Sequence, residues 1–126
     1  MAIELNHTII HAYDKRKAAT FMAEILGLPA PETMFNYFLV VRTANGVSLD
    51  FIETTEKIVP QHYAFLVSDD EFDQIFGRIK ERGLTYWADP AQQKPGAINT
   101  HFGGRGAYFE DPSGNLLEII TRPYTD

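Results

Sequence analysis

The chain says much of its sequence twice, and that repetition limits the folds open to it. Residues 3–11 (IELNHTIIH) alternate as a strand. Asp14 then offers an N-cap to a helix with Ala18, Phe21, Met22, Ile25 and Leu26 on one face, and Gly27 closes it. Pro29 and Pro31 make a loop, after which FNYFLVVRT and VSLDFIET read as strands joined through Ala44-Asn45-Gly46. From Pro60 the order restarts. HYAFLVS reads as a strand, Ser68 and Glu71 have capping-box spacing, and Phe72, Ile75, Phe76 and Ile79 mark a second amphipathic helix ended by Gly83. The short strand LTYWADP, a long loop, the strand GRGAYFE, the turn Asp111-Pro112-Ser113-Gly114-Asn115 and the strand NLLEIITRP follow.

Equivalent residues can be paired across the two copies. His7 corresponds to His62, Gly27 to Gly83 and Asp50 to Glu118, with GVSLDFI lying over GNLLEII. The spacing lengthens in the second copy by the size of the loop from Ala91 to Gly103, a length that marks a lid or binding loop rather than a spacer. The first copy shows no counterpart of LTYWADP among its prolines. Strands alternating with only two helices, and hairpins in each half, predict an α+β fold: two βαβββ-like modules forming curved mixed sheets around a cavity. The chain reads as a single domain over 1–126, with module 1 about 1–56 and module 2 about 57–126.

One residue violates the pattern. Glu118 lies between Leu117 and Ile119 inside an apolar strand, where a lone carboxylate costs several kcal/mol unless something positive meets it. His7 and His62 are the other polar intrusions. Two histidines and a carboxylate suit a divalent cation with positions left open for water or substrate, so His7, His62 and Glu118 are the candidate metal ligands and the cavity a metal-binding one. Asp50 is a candidate fourth ligand; a hydrogen-bond partner of a ligand ring and a plain strand residue are its alternatives. Imidazole and carboxylate without thiolate admit Fe2+, Mn2+, Ni2+, Co2+ or Zn2+.

Composition excludes several function classes. The net charge of −6 argues against nucleic acid or an anionic membrane surface as the main partner. No apolar run approaches a membrane span, no signal peptide is expected, and the zero cysteines suit a reducing cytoplasm.

Several phrases then carry a family resemblance across nearly the whole chain: LNHTII, a helix ending in LGL, QHYAFLVS followed by a helix and RGL, and above all YFEDPSGNLLEI. The chain resembles the vicinal oxygen chelate superfamily, which includes glyoxalase I, extradiol dioxygenases, fosfomycin-resistance thiol transferases and bleomycin-binding proteins. The resemblance implies paired βαβββ modules, a homodimer, and a metal held by His7, His62 and Glu118. Asp50 stands where glyoxalase I-like members usually carry Glu. HYAF and Tyr108-Phe109 look most like the fosfomycin-resistance branch, although the loop from Ala91 to Gly103 lacks its Lys and serine-rich phosphonate segment.

The expected function is a metal-dependent enzyme of lyase, isomerase or dioxygenase type. Its small substrate would chelate the cation through neighbouring oxygens, with the metal as Lewis acid. Glu118 and Tyr108 are the candidate catalytic residues, Tyr108 as a donor to a metal-bound oxygen. Arg42, Arg105, His101 and Trp87 are candidates for the substrate pocket, with Tyr37 and Phe102 as further aromatics. The alternative is a metal-free sequestration protein of bleomycin-resistance type, for which the aromatic content of 13% and acidic charge would suit an aromatic cation.

Overall fold

A computed structural model describes residues 3–124 of the chain. It separates into two compact units, Met1–Val59 and Pro60–Asp126. In the first, strand β1 (His7–Ala12) leads through the Asp14 cap into helix α1 (Lys15–Leu26); β2 (Glu32–Met34), β3 (Phe38–Arg42) and β4 (Ser48–Glu53) follow. The sheet order is β1-β4-β3-β2, with β1 parallel to β4 and the other pairs antiparallel. The second unit repeats this plan: β5 (His62–Leu66), α2 (Asp69–Glu81), β6 (Tyr86–Trp87), β7 (Gly106–Glu110) and β8 (Leu116–Ile120), in the order β5-β8-β7-β6 with β5 parallel to β8. The α+β arrangement of two modules with mixed four-stranded sheets is the one the repeat predicts.

The missing strand of the first copy is β2. It is three residues long and pairs with β3 at the edge of the sheet, too short to show alternation in sequence. The opening strand is shorter than its apolar alternation suggests. Ile3 and Leu5 are exposed, and β1 begins at His7, opposite the first residue of β4.

Alternation of side chains gives each sheet an apolar and a polar face. In the first unit Ile10, Leu39, Val41, Leu49 and Phe51 share the buried face, with Ala18, Ala19, Met22, Ala23 and Ile25 of α1 completing its core. In the second the equivalent face carries Ala107, Phe109, Leu117 and Ile119, and Phe72, Ile75 and Ile79 of α2 are buried with them. Phe76 of α2 stands edge-on to Tyr86 at 4.9 Å between ring centroids. Among the described residues no helix is long and apolar enough to cross a membrane.

Candidate metal centre

The polar face of the second sheet assembles the site. Register places Trp87, Tyr108, Glu118 and Ala64 in one cross-strand row, and Glu110, Leu116 and His62 in the next. His62 is therefore a diagonal neighbour of Glu118, a separation that long side chains bridge. Its Nε2 lies 3.0 Å from Glu118 Oε1, and its ring stacks on Tyr108 at 5.8 Å.

The turn between β7 and β8 fixes this register. Asp111 Oδ1 accepts from the backbone N–H groups of Ser113 (2.9 Å) and Asn115 (2.8 Å), and its Oδ2 accepts from the Asn115 side-chain amide (3.0 Å). Gly114 takes the positive φ of 91° that the turn needs. Asn115, almost wholly buried, accepts in turn from the N–H of Gln61 at 2.9 Å, and Gln61 accepts from the N–H of Leu116. The turn thus holds the residue immediately before His62.

The hydrogen bonds set a charge requirement. His62 Nδ1 lies 3.0 Å from the Leu116 carbonyl, which can only accept, so Nδ1 carries a proton. Nε2 then faces a carboxylate oxygen, also an acceptor. A shared proton or a metal cation must lie between them. Glu118 is 1% exposed, so that proton or cation is what makes its burial tolerable. Imidazole and carboxylate converging across such a gap are a donor pair that fits a divalent ion.

The other oxygen of Glu118 is also engaged. Tyr124 donates its hydroxyl to Oε2, and Tyr108, 3.3 Å from the Tyr124 oxygen, donates to Tyr124 because that hydroxyl's own proton is used. Burial first, then the hydrogen bond to Tyr124 and the nearby Glu118 charge, push the Tyr108 phenol well above its ordinary value. Tyr124 is raised as well, by burial and by its bond to Glu118. Both phenols keep their protons at neutral pH.

The remaining candidates lie elsewhere. In the first unit His7 is exposed at the start of β1, opposite Ser48, with exposed Arg42 beyond it in the same row. Its Nδ1 lies 2.8 Å from Asn6 Oδ1. Asp50 is buried in the next row and accepts from the Ser48 hydroxyl at 2.5 Å. Arg105 turns to α2: its guanidinium bonds Asp73 (2.7 Å) and Asp69 (3.1 Å) and lies over the Phe72 ring. Trp87 is half-buried opposite Tyr108, and exposed Tyr37 receives Lys15 Nζ on its carbonyl. His101 and Phe102 form a short 3-10 turn, with Phe102 at a φ of 58° and its ring 5.2 Å from that of Tyr124. Among the described residues no three or more His, Asp or Glu side chains gather as a ready-made metal cluster.

The long loop is anchored at several points. Trp87 bridges to Pro95 and Asn99 to Gly106, while the Asn99 side chain donates to the Ala88 carbonyl. A Cβ at Gly106 would come within 2.8 Å of Asn99 Oδ1, so glycine there lets the loop lie on β7. Tyr124 is the residue that sequence reasoning passes over. Its only signal is an aromatic just past Pro123, close enough to Glu118 in the chain for a reversal to bring the two together.

Comparison with known proteins identifies the family. Residues 4–119 match the Glyoxalase/Bleomycin resistance protein/Dioxygenase superfamily, and the chain belongs to that superfamily. More particularly, it is 58% identical to the solved structure of Oxidase ChaP-H1, over 99% of this chain and 100% of that one, with a TM-score of 0.96. The glutathione transferase FosA of Serratia marcescens is 28% identical over 94% of this chain and 81% of its own length. The fosfomycin resistance protein FosX of Listeria monocytogenes shares the fold at 22% identity and a TM-score of 0.72, over 100% of this chain and 96% of that one.

Proposed function

We propose that this chain is a metal-dependent oxidase. Its substrate is a small molecule that chelates a divalent cation through two neighbouring oxygens. The observation that carries the metal is the His62–Glu118 pair, which faces two acceptors across 3.0 Å with one ring proton already committed to Leu116. The 58% identity to a protein named an oxidase favours oxidation over lyase or isomerase chemistry. When bound, the cation supplies Lewis acidity and a place where substrate oxygens and O2 meet.

The chain's own groups do the rest. His62 and Glu118 hold the cation, and the Leu116 carbonyl fixes which ring nitrogen is offered to it. Tyr108, stacked beside His62, gives its one proton to Tyr124 rather than to a substrate oxygen and so steadies the Tyr124–Glu118 contact, and Trp87 in the same row supplies an aromatic wall.

His7 is the third ligand in this reading, with the active form a homodimer in which each site combines His62 and Glu118 of one copy with His7 of the other. A mixture of His7→Ala and His62→Ala chains tests this directly. A shared site regains one intact set of two per mixed dimer, and random pairing makes about half of the dimers mixed, so metal uptake recovers to roughly a quarter of the parent's; no recovery rejects the shared site.

The metal reading itself is tested by purifying the protein without chelator and measuring bound metal. Removal of the metal should abolish oxygen uptake with catechol-type chelating substrates, and His62→Ala should leave the protein metal-free. Unchanged metal content in that variant overturns the reading. Tight binding of an aromatic ligand that is indifferent to chelator and produces no turnover would support sequestration instead.

A further inference from the structure

We infer that Tyr124 is a carboxylate lock: its hydroxyl occupies Oε2 of Glu118, so that Glu118 can offer a cation only Oε1. The inference rests on the metal reading above and concerns a residue from outside the sheet. Tyr124 lies beyond β8 and past Pro123, yet it donates directly into the buried carboxylate, while His62 faces the opposite oxygen. A carboxylate that accepts a phenolic proton on one oxygen is a weaker second donor there, because that lone pair is already shared.

Two contacts hold the lock in place. Tyr108 donates to the Tyr124 oxygen at 3.3 Å, which polarises the phenol and strengthens its own donation to Glu118. Phe102, from the short turn that ends the long loop, packs its ring against that of Tyr124 at 5.2 Å. The loop therefore braces the lock from the side while the sheet holds the carboxylate.

The consequence is a coordination number. With Oε2 occupied, Glu118 takes one position on the cation and leaves another open for the second oxygen of a chelating substrate. With Oε2 released, the carboxylate can close on the cation through both oxygens and fill that position itself. Tyr124 is thus a positioning residue that keeps room for substrate by denying the protein a ligand.

The test uses the full-length protein loaded with Co(II), whose visible absorption weakens as its coordination number rises. Tyr124→Phe removes the hydroxyl and keeps the ring on Phe102. It should bind Co(II) about tenfold more tightly, the scale of one charge-assisted hydrogen bond, with weaker visible bands. The variant should remain folded, since the ring packing is retained. Identical spectra and affinity in parent and variant overturn the lock. Weaker binding with unchanged bands also overturns it, since Tyr124 would then support the carboxylate rather than restrain it. A change seen only in Tyr124→Ala assigns the effect to ring packing and overturns it too. A parent that takes up no Co(II) refutes the metal reading, a result distinguishable from failure of the lock alone.

Discussion

The two sheets of this protein are built on one template and spend it differently. In the first, the row through Asp50 reads Glu32, Val40, Asp50 and Ile9; in the second, the equivalent row reads Trp87, Tyr108, Glu118 and Ala64. Asp50 is one methylene shorter than Glu118 and accepts from Ser48, two residues back on its own strand. Leu116 holds the equivalent position in the second sheet and has no hydroxyl to offer, so Glu118 is left to meet a histidine on the neighbouring strand and a tyrosine from the segment beyond β8. A strand position therefore fixes where a carboxylate points, and its neighbour two residues away decides whether it is used up locally or left for a ligand.

The largest consequence concerns metal affinity. Glu118→Gln keeps shape but removes the charge that balances the cation. It should weaken divalent metal binding by at least about a hundredfold, the upper end of what loss of a supporting group alone produces. Asp50→Asn removes the equivalent charge from a carboxylate already satisfied by Ser48, and should cost less than about tenfold. Titration calorimetry on both variants decides the comparison. Comparable losses would make Asp50 a ligand and erase the distinction between the sheets.

A smaller difference lies in the hairpin turns. In the first unit Thr43 stands where Asp111 stands in the second: its hydroxyl bonds Asn45 and Val47, and Val47 has an apolar side chain where Asn115 uses its amide to hold Gln61. Asp111→Ala leaves two buried backbone and amide donors without their charged acceptor and should destabilise the protein by about 2 kcal/mol. Thr43→Ala should cost about 1 kcal/mol or less. Urea unfolding measures both. The Asp111 variant should also bind metal more weakly, since the residue before His62 loses its tether, whereas the Thr43 variant should not.

Sequence made the template legible because burial of one sheet face imposes a period of two and because the strand–helix–strand order recurs. Glu118 was visible for the same reason, as a charge at an apolar beat. β2 was hidden because a three-residue edge strand just after Pro29 and Pro31 has no period to show. Ile3 and Leu5 extended the apparent first strand because alternation marks residues able to pair, whether or not a partner strand reaches them. Arg105 looked like an anion binder, yet its charge is met by Asp69 and Asp73, a pairing that depends on where the first turn of α2 falls against the start of β7. Tyr124 depends on the bend at Thr121 and Arg122, which no periodicity encodes.

The smallest expected effect separates the two helices. α1 is capped by Asp14, and Glu53 accepts from the N–H of Lys15; its first turn carries no acidic residue. α2 has a complete capping box, in which the Ser68 hydroxyl accepts from the Glu71 N–H and the Glu71 carboxylate accepts from the Ser68 N–H. The backbone N–H of Ser68, followed by its side chain, holds the Glu71 carboxyl below its ordinary value. A carboxyl lowered by folding stabilises fully above the ordinary glutamate range. That stabilisation fades as pH falls through the ordinary value, where the unfolded chain takes up its proton first, and is gone below the folded value. Because Glu71 is solvent-exposed the contribution is only a few tenths of a kcal/mol. Glu71→Gln retains the acceptor oxygen but not the charge. Amide exchange should show α2 of the parent better protected than that of Glu71→Gln at neutral pH, with the difference vanishing in acid while α1 is indifferent to the substitution throughout. A difference that persists below the folded Glu71 value would trace the protection to the shape of the box rather than to its charge.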